Sequence, residues 1–249
     1  MKNYRLTPWD TKSLGFKTAE LLDLDNLDTE QQLIEVLNMV EKLLIKQSVI
    51  FVYTRIKAQN IIAKKILQEK GYYFAESSIS VVKNKVQKFT PYKCPNIDFV
   101  DFEDQYMNNL KEIARDSFDY SRFHEDPNIT ENSARNRYYN WIDDLINQNQ
   151  DVKVAKKGNK IIGFSIQETN MDNNKSKLIL AGCAKGREIF VKSLWNEILI
   201  YNKYRGVSSI ETMISSANVG VFNVYNYFDF KVENTFFGFH KLFKKQSIL

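Results

Sequence analysis

The stretch from Ser208 to Phe230 constrains this chain more than any other. Ser209-Ile210-Glu211-Thr212-Met213-Ile214 carries enough β-branched and apolar residues for a strand. Ser215, Ser216 and Asn218 then offer short polar side chains that accept hydrogen bonds from the unpaired N–H groups of a helix start. Val221, Phe222, Tyr225 and Phe228 recur at intervals of one, three and three, which places them on one helical face. Phe230-Lys231-Val232 then resumes an extended chain. Strand, helix and strand in succession point to an α/β fold, in which such a helix buries its apolar face on a sheet.

The rest of the chain follows that lead. A length of 249 residues suffices for one large core or two modest ones. With 43% hydrophobic residues, nine Gly and four Pro, it is a folded globular chain, neither fibrous nor loop-dominated. A net charge of +5 suits phosphorylated ligands. Without a dense basic tract interleaved with aromatics, it gives no reason to expect nucleic acid. The longest apolar runs, such as Val49-Ile50-Phe51-Val52-Tyr53, are strand-sized and far short of a membrane span. Met1-Lys2-Asn3-Tyr4-Arg5-Leu6 has no apolar core before a cleavage site, so a cytoplasmic location is expected. Cys94 and Cys183 fit reduced thiols, and the scattered Cys and His residues predict no metal site.

In chain order, Pro8 to Phe16 reads as a compact, aromatic, turn-rich segment. Asp28-Thr29 starts a helix to about Lys46, Ser48 to Arg55 reads as a buried strand, and Ala58 to Lys70 as a helix closed by Gly71. Tyr72-Tyr73-Phe74 and Ile79 to Val82 read as paired short strands. Lys88 to Pro95, polar and proline-bearing, is the best linker, which divides the chain into a small α/β domain at 1–95 and a larger one at 96–249. The larger one reads as a strand at Ile97 to Phe102, helices from Glu103 and Thr130, a hairpin across Lys157-Gly158-Asn159-Lys160, and a strand from Lys177 to Ala184. A helix after Gly186, the Ser208 to Phe230 unit and a last strand at Thr235 to Phe243 complete it. Asn60, Ala63, Leu67, Gly71 and Tyr72 echo the Asn218-to-Phe230 spacing, as coincidence between amphipathic helices or as a degenerate half-copy without its chemistry.

Asn218, Val221, Tyr225 and Phe230 resemble the Asn-x-x-Ala-x-x-x-Tyr-x-x-x-Gly-Phe pattern of the GNAT acetyltransferases, with Val221 in place of Ala and Asp229 in place of Gly. Gly182-Cys183-Ala184-Lys185-Gly186-Arg187-Glu188 stands where that family carries Arg/Gln-x-x-Gly-x-Gly/Ala, and keeps Gly186 but has Glu188 for the second small residue. Exposed N–H groups at a helix start attract an anion, so the loop is either a phosphate cradle or an ordinary glycine turn. Pro8-Trp9-Asp10 to Gly15-Phe16, Tyr120 to Pro127 and Tyr138 to Trp141 resemble the nucleotide-sugar branch of the family.

The resemblance implies a GNAT fold, a central mixed sheet flanked by helices, preceded by the small α/β domain. It also implies transfer of an acetyl group from acetyl-CoA to the amine of a TDP-linked 4-amino-4,6-dideoxyhexose for a bacterial surface polysaccharide. By resemblance, Tyr225 protonates the departing thiolate, and Leu180, Ala181 and Gly182 offer backbone N–H groups to the oxyanion. Lys185, Gly186, Arg187 and Asn218 hold CoA, and Ser121, Arg122, Phe123 and His240 serve the acceptor. Arg122 suits a diphosphate and Phe123 a sugar or base, unless Arg122 is a salt bridge to Asp119 or Asp126 in a packed loop. His124 and His240 are candidate bases for a protonated amine, Glu168 an outsider, and each histidine has a structural reading beside it. Acetyl-CoA is the one co-substrate expected, without metal, and a homodimer is compatible with the reading. Two alternatives stand beside it: another amine or a peptide as acceptor, and a binding protein that kept the fold after the phosphate loop decayed.

Overall fold

The computed structural model describes residues 3–243. Ten strands run as β1 (Tyr4–Leu6), β2 (Thr18–Leu21), β3 (Phe51–Lys57), β4 (Tyr73–Asn84), β5 (Asp98–Asp101), β6 (Asp151–Lys157), β7 (Lys160–Asn170), β8 (Lys175–Cys183), β9 (Ser209–Ser215) and β10 (Lys231–Leu242). Seven helices join them: α1 (Pro8–Leu14), α2 (Glu30–Lys46), α3 (Ile61–Glu69), α4 (Met107–Ser117), α5 (Glu131–Asn147), α6 (Val191–Tyr204) and α7 (Val219–Tyr227). The fold class is α/β, with mixed sheet flanked by helices.

Packing divides the chain into two compact units. The first gathers residues 3–78, Arg122–Ala134 and 234–243, and the second Ile79–Ser121 and Arg135–Glu233. In the first, the strand order is β1-β2-β3-β10-β4, with β2 parallel to β3 and β10 antiparallel to it. Its helix α2 is capped by Thr29, whose hydroxyl accepts from Gln32 N at 3.2 Å. The helix buries Leu33, Leu37, Val40 and Leu44 against Val52, Ile56 and Leu67. In the second unit the order is β4-β9-β8-β7-β6-β5. There α6 buries Leu194, Trp195, Ile198 and Leu199 with Tyr225, Phe228 and Phe230, while α4 and α5 pack with Val154, Phe164 and Leu180.

Two expected details differ. The segment from Pro8 is a helix, α1, with its proline in the first turn, where the missing N–H costs nothing, and Gly15 at φ 77 closing it. The two short strands expected at 72–74 and 79–82 are one strand, β4, because no turn residue interrupts Ala75-Glu76-Ser77-Ser78. Glu76 is buried there and ion-paired to Arg55, so a polar stretch runs inside the sheet as strand.

The echo around Asn60 extends to backbone geometry. The elements β3, α3 and β4 have the lengths and spacing of β9, α7 and β10, each starting and ending 158 residues earlier. Asn60 caps its helix by accepting from Ala63 N at 2.9 Å, as Asn218 does from Val221 N at 3.1 Å. Each helix ends at a left-handed residue, Gly71 at φ 79 or Asp229 at φ 60. Asp tolerates that region better than most residues with a side chain, and Lys83 and Lys231 pair with the Asp229 carboxylate.

Candidate active site

In the second unit β8 and β9 pair in parallel only at Lys175↔Ser209, Ser176↔Ile210 and Lys177↔Glu211. Beyond Lys177 the pairing stops while β8 continues to Cys183, so the edge of Leu180, Ala181 and Gly182 toward β9 is not zipped into a ladder. Thr212 bridges the opening by donating its hydroxyl to Leu178 O at 2.8 Å. Leu180 is buried in the core, and Gly182 is a glycine for a steric reason: a Cβ there would lie 2.9 Å from the Phe118 ring. That ring stacks on Tyr138, centroids 5.2 Å apart.

After β8 the chain turns at Gly186, φ 78, into a 3-10 turn at Glu188–Phe190 that leads into α6. Lys185, Gly186 and Arg187 are exposed. Glu188 reaches back, its Oε1 accepting from Gly186 N at 2.8 Å. Backbone N–H groups of Glu188 itself and Gly186 hold its carboxyl below the usual carboxylate range. The side chain that departs from the small-residue pattern therefore sits as an anion on one of the loop's own N–H groups.

Tyr225 follows on α7, buried, its ring edge-on to Phe230 at 4.8 Å and to Trp195 at 5.6 Å. Burial pushes its hydroxyl up to about 12, with Thr212 and the Trp195 indole pulling in the opposite direction. It is thus a protonated donor at neutral pH. Asn218 spends its side-chain oxygen on the helix start, accepting from Val221 N.

The residues of the first unit expected to serve an acceptor lie in a buried polar cluster. Arg122 lies over the Tyr53 ring at 4.0 Å and the Phe123 ring at 4.8 Å. Its nearest carboxylate is Asp10, at 3.9 Å, and Asp10 Oδ2 already accepts from the Tyr53 hydroxyl at 2.6 Å. The salt bridges weighed from sequence have other partners: Asp119 pairs with Arg135, and Asp126 with His240 and Tyr73. Phe123 is buried with Leu14, Phe51, Tyr53 and Ala134. His240, buried on β10, places Nδ1 2.7 Å from Asp126 Oδ2, and burial pushes its imidazole below the ordinary value.

The chain thus gathers Leu180 to Gly182, Lys185 to Arg187, Asn218 and Tyr225 within the second unit, and Arg122, Phe123 and His240 within the first. Ser121 closes a segment of the second. Sequence reasoning missed Asp10, Tyr53, Tyr73 and Asp126 as members of the Arg122 and His240 cluster. Only the Pro8-Trp9-Asp10 and Tyr120-to-Pro127 segments hinted at Asp10 and Asp126. Among the described residues no three His, Cys, Asp or Glu side chains gather to hold a metal ion, and no helix is long and apolar enough to cross a membrane.

No family model matches the chain. It is 25% identical over 165 residues to the spore coat polysaccharide biosynthesis protein SpsD of Bacillus subtilis (strain 168), a stretch covering 65% of this chain and 55% of that protein. Among solved structures, a GCN5-related N-acetyltransferase from Sphaerobacter thermophilus superposes with a TM-score of 0.67 at 14% identity, covering 96% of this chain and 76% of that one. A tandem GNAT protein from the clavulanic acid biosynthesis pathway gives 0.60 at 10% identity, over 90% and 75% of the two chains. A functionally unknown conserved protein from Staphylococcus epidermidis ATCC 12228 gives 0.65 at 12% identity, over 94% and 88%. The fold is that of the GNAT acetyltransferases.

Proposed function

We propose that the protein is an acetyl-CoA-dependent N-acetyltransferase whose acceptor is the amine of a nucleotide-linked amino-deoxysugar, similar to TDP-fucosamine acetyltransferase. The observation that carries this reading is the opening of β8 from β9 beside a buried, protonated Tyr225. A parallel pair that stops zipping exposes backbone N–H and C=O groups to an extended amide such as pantetheine. Tyr225 would donate its proton to the CoA thiolate as the C–S bond breaks. Backbone N–H groups at Leu180 to Gly182 would stabilise the oxyanion, and Lys185, Gly186 and Arg187 would meet the pyrophosphate. Asn218 would serve CoA through the helix start that it caps.

On the acceptor side, Arg122, Phe123, Ser121 and His240 would hold the nucleotide sugar. The relative from a spore coat polysaccharide pathway favours a sugar over a peptide or a small metabolite. The division at 1–95 and 96–249 would reflect two GNAT-type halves. The first would have lost its chemistry, since Leu67 stands where Tyr225 stands in the second. Acetyl-CoA and nucleotide sugars are cytoplasmic metabolites, which would place the reaction in the cytoplasm.

Incubating the protein with acetyl-CoA and a panel of TDP- and UDP-amino sugars, with mass spectrometry of the products, tests the reading. A gain of one acetyl group on a sugar amine is expected. Acetylation of peptides or small amines in place of sugars would move the assignment to another acceptor. Absence of acetyl-CoA binding by calorimetry would leave a protein that keeps the fold without the reaction.

A further inference from the structure

The buried cluster of the first unit contains a cation held by one long ion pair and a ring nitrogen that its own residues leave unsatisfied. The first is Arg122. Its side chain is 17% exposed, it stacks on Tyr53 and Phe123, and no described hydrogen bond engages its five N–H donors. Asp10 Oδ2, which accepts from the Tyr53 hydroxyl, stands 3.9 Å away as its ion-pair partner, and Glu20 and Glu76 act on the guanidinium from farther off. A planar donor fork over two aromatic rings, with no hydrogen bond from its N–H groups among the described residues, suits a phosphate or carboxylate.

The second is His240. Asp126 is saturated as an acceptor: Oδ1 takes Asn128 N at 2.8 Å and Asn128 Nδ2 at 3.2 Å, and Oδ2 takes the Tyr73 hydroxyl at 2.8 Å and His240 Nδ1 at 2.7 Å. Burial works to raise the Asp126 carboxyl, but the hydrogen bonds from His240 and Asn128 prevail and hold it below the usual range, so it is ionised. An ionised carboxylate only accepts, hence Nδ1 carries a hydrogen and the neutral ring presents a lone pair at Nε2. Nε2 is buried and has no hydrogen-bond partner among the described residues. Its ring lies against Phe51 at 4.9 Å and Tyr53 at 6.2 Å. Since Arg122 lies on that same Tyr53 ring, the guanidinium and the imidazole are within about 10 Å of each other.

We propose that these two groups form one ligand site in the first unit: Arg122 takes an anionic phosphate and His240 Nε2 takes a hydrogen-bond donor of the same small molecule. Asp126 and Tyr73 are the positioning residues that keep His240 in its accepting tautomer. Resting on the acceptor reading above, the ligand is a nucleoside-diphosphate sugar bearing an amine. If that amine arrives as an ammonium, one N–H bond breaks and its electron pair stays on nitrogen. The proton forms a bond to Nε2, and the imidazolium is neutralised by Asp126. The charged and titratable groups that act on this ring are Asp126 from its loop, Glu76 and Tyr73 from β4, Tyr53 from β3, and Arg122.

Calorimetric titration of the full chain with TDP and with TDP-4-amino-4,6-dideoxygalactose, without acetyl-CoA, tests the site. Arg122→Ala is expected to weaken both ligands by roughly 10- to 100-fold, the worth of a charge-assisted pair. His240→Phe keeps the ring packing and is expected to weaken the amino sugar while leaving TDP unchanged. Wild-type affinity for the amino sugar in both variants, with native circular dichroism, would overturn the proposal, as would failure of the wild type to bind either ligand. Nitrogen NMR of the two histidines in the unaltered protein covers the case of a variant that does not fold. The Nε2 signal of His240 is expected to shift on adding the amino sugar and to stay in place with TDP, and no shift overturns the proposal. Lost acetyl transfer with intact, Arg122-dependent binding sinks the enzymatic reading alone. Normal transfer to the sugar at wild-type KM by both variants sinks this site alone.

Discussion

Packing and the proposed proton donation are two readings of Tyr225 that its hydroxyl separates. Its ring fills the space between Trp195 and Phe230, so burial alone would justify an aromatic residue there. Tyr225→Phe keeps the ring, and a packing role predicts near-normal turnover. A proton-donor role predicts a fall in kcat of roughly 10²- to 10⁴-fold with acetyl-CoA affinity preserved, measured by steady-state kinetics. The loss is expected to shrink with acyl donors whose leaving thiol is more acidic. His240 and Asp126 give the first unit an acid-sensitive stability. The imidazole sits below its ordinary value of about 6.5, so the unfolded chain binds the proton first and stability falls as pH drops below that value. The Asp126 carboxyl, also lowered, adds a second loss as pH falls below about 4. Urea titrations of the wild type are expected to show the decline setting in as pH falls below about 6.5, and His240→Phe to flatten it. An identical decline in the variant would assign it to other groups.

At the scale of elements, the loop between β8 and α6 shows why a motif position is not yet a binding site. Gly186 occupies the left-handed region, where a side chain costs about 1–2 kcal/mol, so replacing it disturbs the turn whether or not phosphate binds. Glu188 is the cleaner probe, because its carboxylate already occupies Gly186 N. Glu188→Gly releases that N–H and removes a negative charge, so acetyl-CoA is expected to bind more tightly while the thermal midpoint drops slightly. Unchanged affinity by calorimetry would put the phosphates elsewhere. In β8, Gly182→Ala would drive a Cβ into the Phe118 ring and displace its stack on Tyr138. A cost of about 1–3 kcal/mol in chemical denaturation is expected, as for overpacking elsewhere.

At the scale of the whole molecule, chain order and packing part company. The last strand, β10, lies between β3 and β4 in the first unit and contributes buried Phe239 and His240. Ending the chain after Glu233 would strip a strand from the middle of that sheet and leave two unpaired edges, so aggregation is expected on size-exclusion chromatography. A truncated chain with a native thermal midpoint would refute this. The α/β class, the helices at α2, α3 and α7, the hairpin of β6 and β7, and the caps at Thr29 and Asn218 were all legible in the sequence. Apolar periodicity and short polar caps act over a few residues, and a chain displays them without reference to its fold. The same holds for the spacing shared by Asn60 and Asn218, which the backbone repeats turn for turn. What only the tertiary structure decided are the partners of buried charge. Arg122 could have met Asp119 or Asp126, yet it rests on Tyr53 and Phe123 near Asp10, and Asp126 turns to a histidine 114 residues away. Such pairings are made by strands and loops that meet only when the chain has closed, and the energy of a buried charge depends on the groups that surround it there.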